Sequence, residues 1–325
     1  LFLGAGDNLA AKTAHGIHYW RPEWCLGQTR LPGATADLGQ PDLTPADAAA
    51  RGAKSMIIGV ANAGGYVPEE WLPTILSALH AGLDVAAGLH DRLNDVPVLR
   101  ETARELGRTL HDVRHPANGS FAVATGRKRS GLRLLTVGTD CSVGKMFTSL
   151  ALERTLRARG VKADFRATGQ TGIFIAGSGI SVDAVVSDFI AGATESLSPD
   201  HEPDHWDIIE GQGSLFHPAY AGVTLGLIHG SQPDALVLCH AANRERMDDC
   251  PEYRLPDLED ALDLNLRTAR RTNPQARFVG IALNTSSLDE AAARQLISAT
   301  QARLGLPCCD PVRTGVANIV DHLLG

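Results

Sequence analysis

The chain has 325 residues, more than a single domain of roughly 150 residues accommodates, so it reads as two domains. Acidic residues outnumber basic ones, 37 to 30, for a formal charge of −7 that argues against a nucleic-acid partner, and 5 % aromatics are too few for a base-stacking platform. Hydrophobic residues make up 44 %, and the longest uncharged apolar run, near Pro218 to Ile228, falls well short of the roughly 20 residues of a membrane helix.

No secretory signal pattern is visible, and the start at Leu1-Phe2-Leu3 without a methionine reads as numbering that begins inside a strand. The six cysteines, at 25, 141, 239, 250, 308 and 309, form no C-x-x-C pair. They indicate neither a zinc ribbon nor a disulfide framework and suit a reducing cytoplasm.

In chain order, Leu1–Ala5, Trp24–Gly27 and Ser55–Val60 read as strands. Pro68–Leu79 reads as a helix, with Pro68 in its first turn and Gly82 just past its end. Asp84–Ala87 is a strand, Pro97–Leu106 a helix and Leu110–Val113 a strand. Such alternation implies βαβ units on a parallel sheet, a Rossmann-like first domain over 1–116. Periodicity lapses after His115, and 117–131 is expected to be a linker. Its Arg127-Lys128-Arg129 run reads as solvated, or else as a contact for a ligand phosphate. The second domain, 132–325, opens on the strand Leu132–Val137 and the helix Gly144–Arg159. Further strands fall at Val161–Arg166, Trp206–Ile209, Ala235–His240 and Arg277–Leu283, with helices at Leu258–Arg270 and Leu288–Leu304. In the last helix Leu288, Ala292, Leu296 and Ala299 form the expected apolar face.

The strongest signal is Gly138-Thr139-Asp140-Cys141-Ser142-Val143-Gly144-Lys145 between that strand and helix. Backbone N–H groups of such a loop wrap a phosphate, the helix N-terminus adds partial positive charge, and the lysine reaches the outer phosphates. The loop has one residue more between its glycines than the common GxxxxGK pattern, as in dethiobiotin synthetase-like P-loop proteins. After the lysine a Ser or Thr hydroxyl is expected to hold Mg²⁺, but Met146 stands there, and a thioether is a poor ligand for a hard ion. Thr148 lies about 200° round the helix and does not substitute. The loop therefore favours a phosphate-bearing cofactor such as coenzyme A over ATP as fuel, with no metal expected. Polar residues close the neighbouring strands: Arg166 to Gly172 with Gln170, Glu210 to Ser214, and Asn284-Thr285-Ser286. In the first domain Gly4-Ala5-Gly6 is only a fragment of a dinucleotide fingerprint, because Leu9 replaces its third glycine, and it reads as a structural turn.

GTDCSVGKM, RATGQTGI, DFIAGA, EGQGSLFHPAYAGVTLGLIHG and LVLCHAANR occur in this order, after AAKTAHGI, YWRPEW, IIGVANAGG and GLHDRLND. Through these motifs nearly the whole chain resembles a bacterial P-loop family of formerly unknown function that includes D-glutamate N-acetyltransferases. The resemblance implies transfer of an acetyl group from acetyl-CoA to the amino group of D-glutamate in D-amino-acid catabolism, and a homo-oligomer.

That chemistry needs a base, since amines are mostly protonated near pH 7, and donors for an oxyanion. Glu210 at a strand tip is the leading base, or else a carboxylate that orients loops; Asp140 and then His217 follow. Cys141 at a helix N-terminus is a conceivable acyl carrier, but no histidine adjoins it in sequence, so direct transfer is preferred. Lys12, Arg21, Arg166 and Gln170 are candidates for binding a dicarboxylate acceptor. Competing readings are an ATP-dependent ligase or kinase of the dethiobiotin synthetase type and a non-catalytic sensor of a phosphorylated metabolite.

Overall fold

The computed structural model describes residues 1–8, 10–62, 64–115 and 121–325. Leu9 and residues 117–120 of the expected linker lie outside them. The chain divides into two compact units, Leu1–Gly119 with Ile173–Gly177, and Ser120–Gly172 with Ser178–Gly325.

The first unit carries five short strands: β1 (Phe2–Gly4), β2 (Thr29–Arg30), β3 (Ser55–Ile57), β4 (Asp84–Ala87) and β5 (Leu110–Asp112). Among the described residues their pairings are all parallel, β2 on β1 and β3-β4-β5, joined by the bridge Phe2–Ile58. Parallel neighbours need crossovers, which the helices Leu72–His80 and Pro97–Leu106 supply. The latter ends at Gly107, whose φ of 63° lets its N–H reach back to Ala103 O. Phe2 is buried edge-on against Trp71, with ring centroids 5.4 Å apart, among Ile75, Leu79 and Val85. Burial on this scale stabilises by about 1.5–3 kcal/mol per large side chain.

Two local expectations change. No strand forms at Trp24–Gly27: Pro22, fixed in φ and lacking an N–H, opens a 3₁₀ turn over Pro22–Trp24, and the strand comes at Thr29–Arg30. The apolar face of the last long helix is displaced. That helix runs Glu290–Leu304, capped by Asp289 accepting from Ala292 N; it buries Ala293 and Thr300, half-buries Leu296 and exposes Ala299. Among so many small residues the apolar period did not define a unique face.

The second unit is built on six parallel strands: β6 (Leu132–Gly138), β7 (Ala163–Arg166), β8 (Trp206–Ile209), β9 (Ala235–Ala241), β12 (Arg277–Asn284) and β13 (Cys308–Cys309). The short antiparallel pair β10 (Arg246–Met247) and β11 (Cys250–Arg254) stands apart. The sheet order is β13-β12-β9-β6-β8-β7. From β6 the chain moves out to β7, returns to β8 and then crosses to β9 on the other side. The direction of winding thus reverses at β6, and ligands in open parallel sheets bind at such reversals, beyond the strand C-termini.

Arg129 corrects the reading of the basic run. Only 4 % exposed, it donates to Glu195 O (2.7 Å), Ser198 O (2.6 Å) and Gly230 O (2.6 Å), tying the entry segment to this unit. Burial pulls its pKa down to about 10, with Arg133 adding repulsion, yet it stays charged at neutral pH. Arg127, by contrast, is exposed and paired with Asp200. Arg129→Met should lower stability by about 3 kcal/mol, since buried carbonyls lose a charged donor. Arg127→Ala should leave the urea midpoint near wild type. Equal midpoints for both variants in urea titration would contradict this assignment.

Candidate active site at the glycine loop

β6 delivers Gly138 directly into the loop, and two left-handed residues turn the chain around: Ser142 at φ 53° and Gly144 at φ 99°. Val143 between them is buried and anchors the turn. The helix Lys145–Ala158 then starts with no side-chain cap on its first N–H groups. Uncapped N–H groups at the end of a helix dipole are suited to an anion.

Lys145 is buried although it stands where the loop meets the helix. It is 6 % exposed, and Nζ donates to Asp140 O at 2.7 Å. Desolvation lowers its pKa, opposed by the nearby Cys141, Cys239, Asp140 and Glu210. Met146 is half-buried, and the Thr148 hydroxyl is turned to Gly144 O at 2.9 Å, so no hydroxyl stands in the usual Mg²⁺ place. Thr139 is buried with its hydroxyl 2.9 Å from His240 Nδ1.

Asp140 is fully engaged. One carboxylate oxygen accepts from Cys141 N (2.7 Å), the other from Asp248 N (2.8 Å) and Arg244 Nη1 (3.0 Å). Arg244 also donates to Cys141 O at 2.8 Å, so it braces the loop from the end of β9. Sequence reasoning missed it, although it closes LVLCHAANR; its position just past a strand end was the available signal.

Glu210 lies just past β8 and is 4 % exposed. Its Oε2 accepts from Thr168 N at 2.9 Å and Gly169 N at 3.2 Å. Burial outweighs these bonds and the Lys145 charge, and the pKa rises to about 7. The space for this carboxylate depends on glycine: a Cβ at Gly172 would sit 2.4 Å from Oε2. One at Gly211 would sit 1.8 Å from Thr136 O and 3.1 Å from Lys145 Cδ, so that glycine makes room for β6 and the lysine stem. Lys145 and Glu210 are close enough for each charge to favour the ionised form of the other.

His217, distant in sequence, does come close to the loop. Ligating atoms of Asp140, Cys141 and His217 lie within 4.8 Å of one another. Nδ1 of His217 accepts from Ala219 N (3.1 Å), which assigns the proton to Nε2, 3.2 Å from Asp248 O. Neither nitrogen is left to take a thiol proton, and burial raises the Cys141 pKa. Proximity alone therefore does not make Cys141 a nucleophile, and the committed oxygens and nitrogens do not form an open metal site.

Of the residues expected at the acceptor, Arg166 is not brought to the loop. Its guanidinium bonds Asp207 (2.6 Å) and His201 Nε2 (2.8 Å), beside Asp164. Side chains alternate along a strand, so Arg166 shares a face with Asp164 and folds back along it. Gln170 is half-buried at the start of the helix Gln170–Ala176, next to Gly169. Lys12 and Arg21 belong to the first unit. Lys12 is exposed at the start of the helix Lys12–Trp20, and Arg21 lies 5.1 Å over the Trp24 ring.

A carboxyl pKa raised from the usual 4.5 to about 7 favours the folded state when protonated, so its contribution is complete below pH 4.5 and is lost as pH rises through 7. Glu210→Gln keeps an acceptor for the two N–H groups and removes the titration. Relative to wild type it should gain about 3 kcal/mol between pH 4.5 and pH 8. Urea titrations at both ends of that range measure the gain; a constant difference would mean that Glu210 is ordinary.

Two family models match the chain: a Rossmann-like domain of unknown function, DUF1611_N, over residues 29–116, and the P-loop domain DUF1611_C over 121–320. A D-glutamate N-acetyltransferase of Tritonibacter scottomollicae is 52 % identical over 324 residues, covering 99 % of this chain and 97 % of its own. One from a Pseudoalteromonas species is 48 % identical with the same coverage. The crystal structure of a DUF1611 family protein from Anabaena variabilis aligns with a TM-score of 0.87 at 34 % identity, covering 99 % of both chains. The chain belongs to the DUF1611 family, with its Rossmann-like N-terminal domain and C-terminal P-loop domain.

Proposed function

We propose that this protein is an N-acetyltransferase that moves the acetyl group of acetyl-CoA to the amino group of D-glutamate. The acceptor comes from the names of the relatives. The observation that carries the mechanism is Glu210: a buried carboxylate half-ionised near neutral pH, under the charge of the lysine of a phosphate loop that lacks the Mg²⁺ hydroxyl. A base of this pKa is matched to an amine acceptor at physiological pH. The loop N–H groups and Lys145 hold the diphosphate of the coenzyme.

Glu210 takes one proton from the acceptor ammonium. The freed lone pair attacks the thioester carbonyl carbon, a C–N bond forms and the C–S bond breaks. The second amine proton leaves with the coenzyme thiolate, giving N-acetyl-D-glutamate and free CoA. Transfer is direct, because the Cys141 thiol lacks a base to ionise it. Asp140, held by Arg244 and two N–H groups, shapes the loop rather than moving protons, and His217 fixes the segment at Asp248. Within the second unit Gln170, beside the Glu210 site, stays a candidate for binding the acceptor; Arg166 is withdrawn because Asp207 and His201 engage it.

Incubation with acetyl-CoA and D-glutamate should release free thiol and yield the N-acetylated product by mass spectrometry. The rate should rise with pH through about 7, where Glu210 becomes the base form. Glu210→Gln should lose that limb and about 10²–10⁴ in kcat. No thiol release with any amino acid would end this reading.

Lys145→Ala removes a charge-assisted bond worth about 1.5–3 kcal/mol, so acetyl-CoA should bind about 10- to 150-fold more weakly by calorimetry. Its melting curve should not fall, since burying an ammonium is itself costly. Met146→Thr supplies the absent hydroxyl and should tighten Mg²⁺-ATP binding without faster acetyl transfer. Unchanged acetyl-CoA affinity in folded Lys145→Ala would assign the loop to another ligand.

A further inference from the structure

Beside the loop, the second unit holds a cavity of about 440 Å³ that the mechanism above does not use. Val143 of the loop, Phe147 of the first helical turn, Ala282 of β12 and Pro311-Val312 beyond β13 give it apolar walls, and Asn284 gives it a polar edge. Small-molecule sites are of this kind: roughly 300–1,000 Å³, mostly apolar, with a few placed polar groups.

The far wall is pre-set by Asp310, which is 3 % exposed. Its Oδ1 accepts from Val312 N (2.8 Å) and Arg313 N (3.0 Å), and its Oδ2 from Thr285 N (3.0 Å) and the Thr285 hydroxyl (2.5 Å). The carboxylate thus clasps the chain after β13 to the end of β12. Asn284 is oriented as well: Oδ1 accepts from Ser286 N at 3.1 Å, and Nδ2 makes no hydrogen bond among the described residues. An asparagine amide with a donor and a second acceptor lone pair matches the paired donor and acceptor on the N6/N7 edge of adenine.

We propose that this cavity is a purine site, and that its occupant is the adenine ring of the coenzyme whose diphosphate the loop holds. This rests on the acetyl-CoA reading above. In coenzyme A the diphosphate separates the adenosine from the thioester arm, so the two ends leave the loop in different directions. The sheet order provides two directions. Glu210 follows β8 on one side of β6, whereas β9, β12 and β13 lie on the other. At about 4.8 Å per strand, β12 is about 10 Å from β6. The cavity begins at the loop itself, since Val143 and Gly144 line it, and it runs toward β12 and away from Glu210. The adenosine end fits there, and the thioester arm goes toward the base.

Val312 is 57 % exposed, so Val312→Trp puts bulk into the cavity without disturbing the core. Asn284→Asp keeps the acceptor for Ser286 N and replaces the free amide donor by a carboxylate. The probes are adenosine 3′,5′-bisphosphate, which carries the 3′-phosphate of the coenzyme, and AMP in a parallel arm, both by calorimetry. The wild type should bind the bisphosphate at least as tightly as AMP, and each variant, melting as the wild type does, should bind it about tenfold or more weakly, with a matching rise in KM for acetyl-CoA. Equal bisphosphate binding by wild type and both variants, or none by any of them, would overturn the purine site. Tighter binding of AMP than of the bisphosphate would overturn the coenzyme as occupant. Bisphosphate binding that the variants lose, in a protein without acetyl transfer, would support the purine site and sink only the proposed reaction.

Discussion

A lysine ammonium held under a loop of peptide N–H groups is the constraint around which the second unit is arranged. Burying that charge is costly, and the loop offers it one carbonyl, Asp140 O, rather than a carboxylate partner. The compensation is distributed. The carboxylate of Asp140 is itself held by Arg244 and two backbone N–H groups, and the Glu210 charge favours the ammonium as well. The unit thus keeps positive charge and free donor geometry at the C-terminal end of β6, where the reversal of the sheet opens space. A phosphate completes this arrangement better than any side chain present.

The same low-dielectric surroundings set the chemistry of the neighbours and shift both acids upward. Burial raises Glu210 to about 7, while Thr168 and Gly169 N–H groups keep it from rising further. Burial also raises Cys141, and the nearby Lys145 charge only partly offsets it. One environment therefore yields a carboxylate poised for proton transfer and a thiol that stays protonated. The difference lies in where each group starts, a carboxyl at 4.5 and a thiol at 9.0.

Much of this was legible in the sequence. The strands of the second unit announce themselves as apolar runs, and the glycine loop stands between strand and helix because that context is local. The substitution of Met146 for a hydroxyl residue was likewise plain from one position. What the sequence did not disclose were partners. Arg129 reads as one of three solvated cations until the carbonyls of Glu195, Ser198 and Gly230, distant in sequence, converge on it. Arg166 reads as a substrate ligand until register places Asp164 and Asp207 on its face. His217 reads as unrelated to Cys141, because proximity across some 76 residues carries no local pattern. Charge and hydrogen-bonding capacity are visible in a sequence; who satisfies them is decided by tertiary packing.

Linkage between the loop and Glu210 follows from the same contacts. Lys145 lowers the Glu210 pKa in the free protein, though less than the Thr168 and Gly169 N–H bonds do. An anion bound in the loop adds negative charge beside Lys145 and cancels part of that attraction. The carboxylate pKa must then rise on binding, and by reciprocity phosphate binds more tightly to the protein with Glu210 protonated.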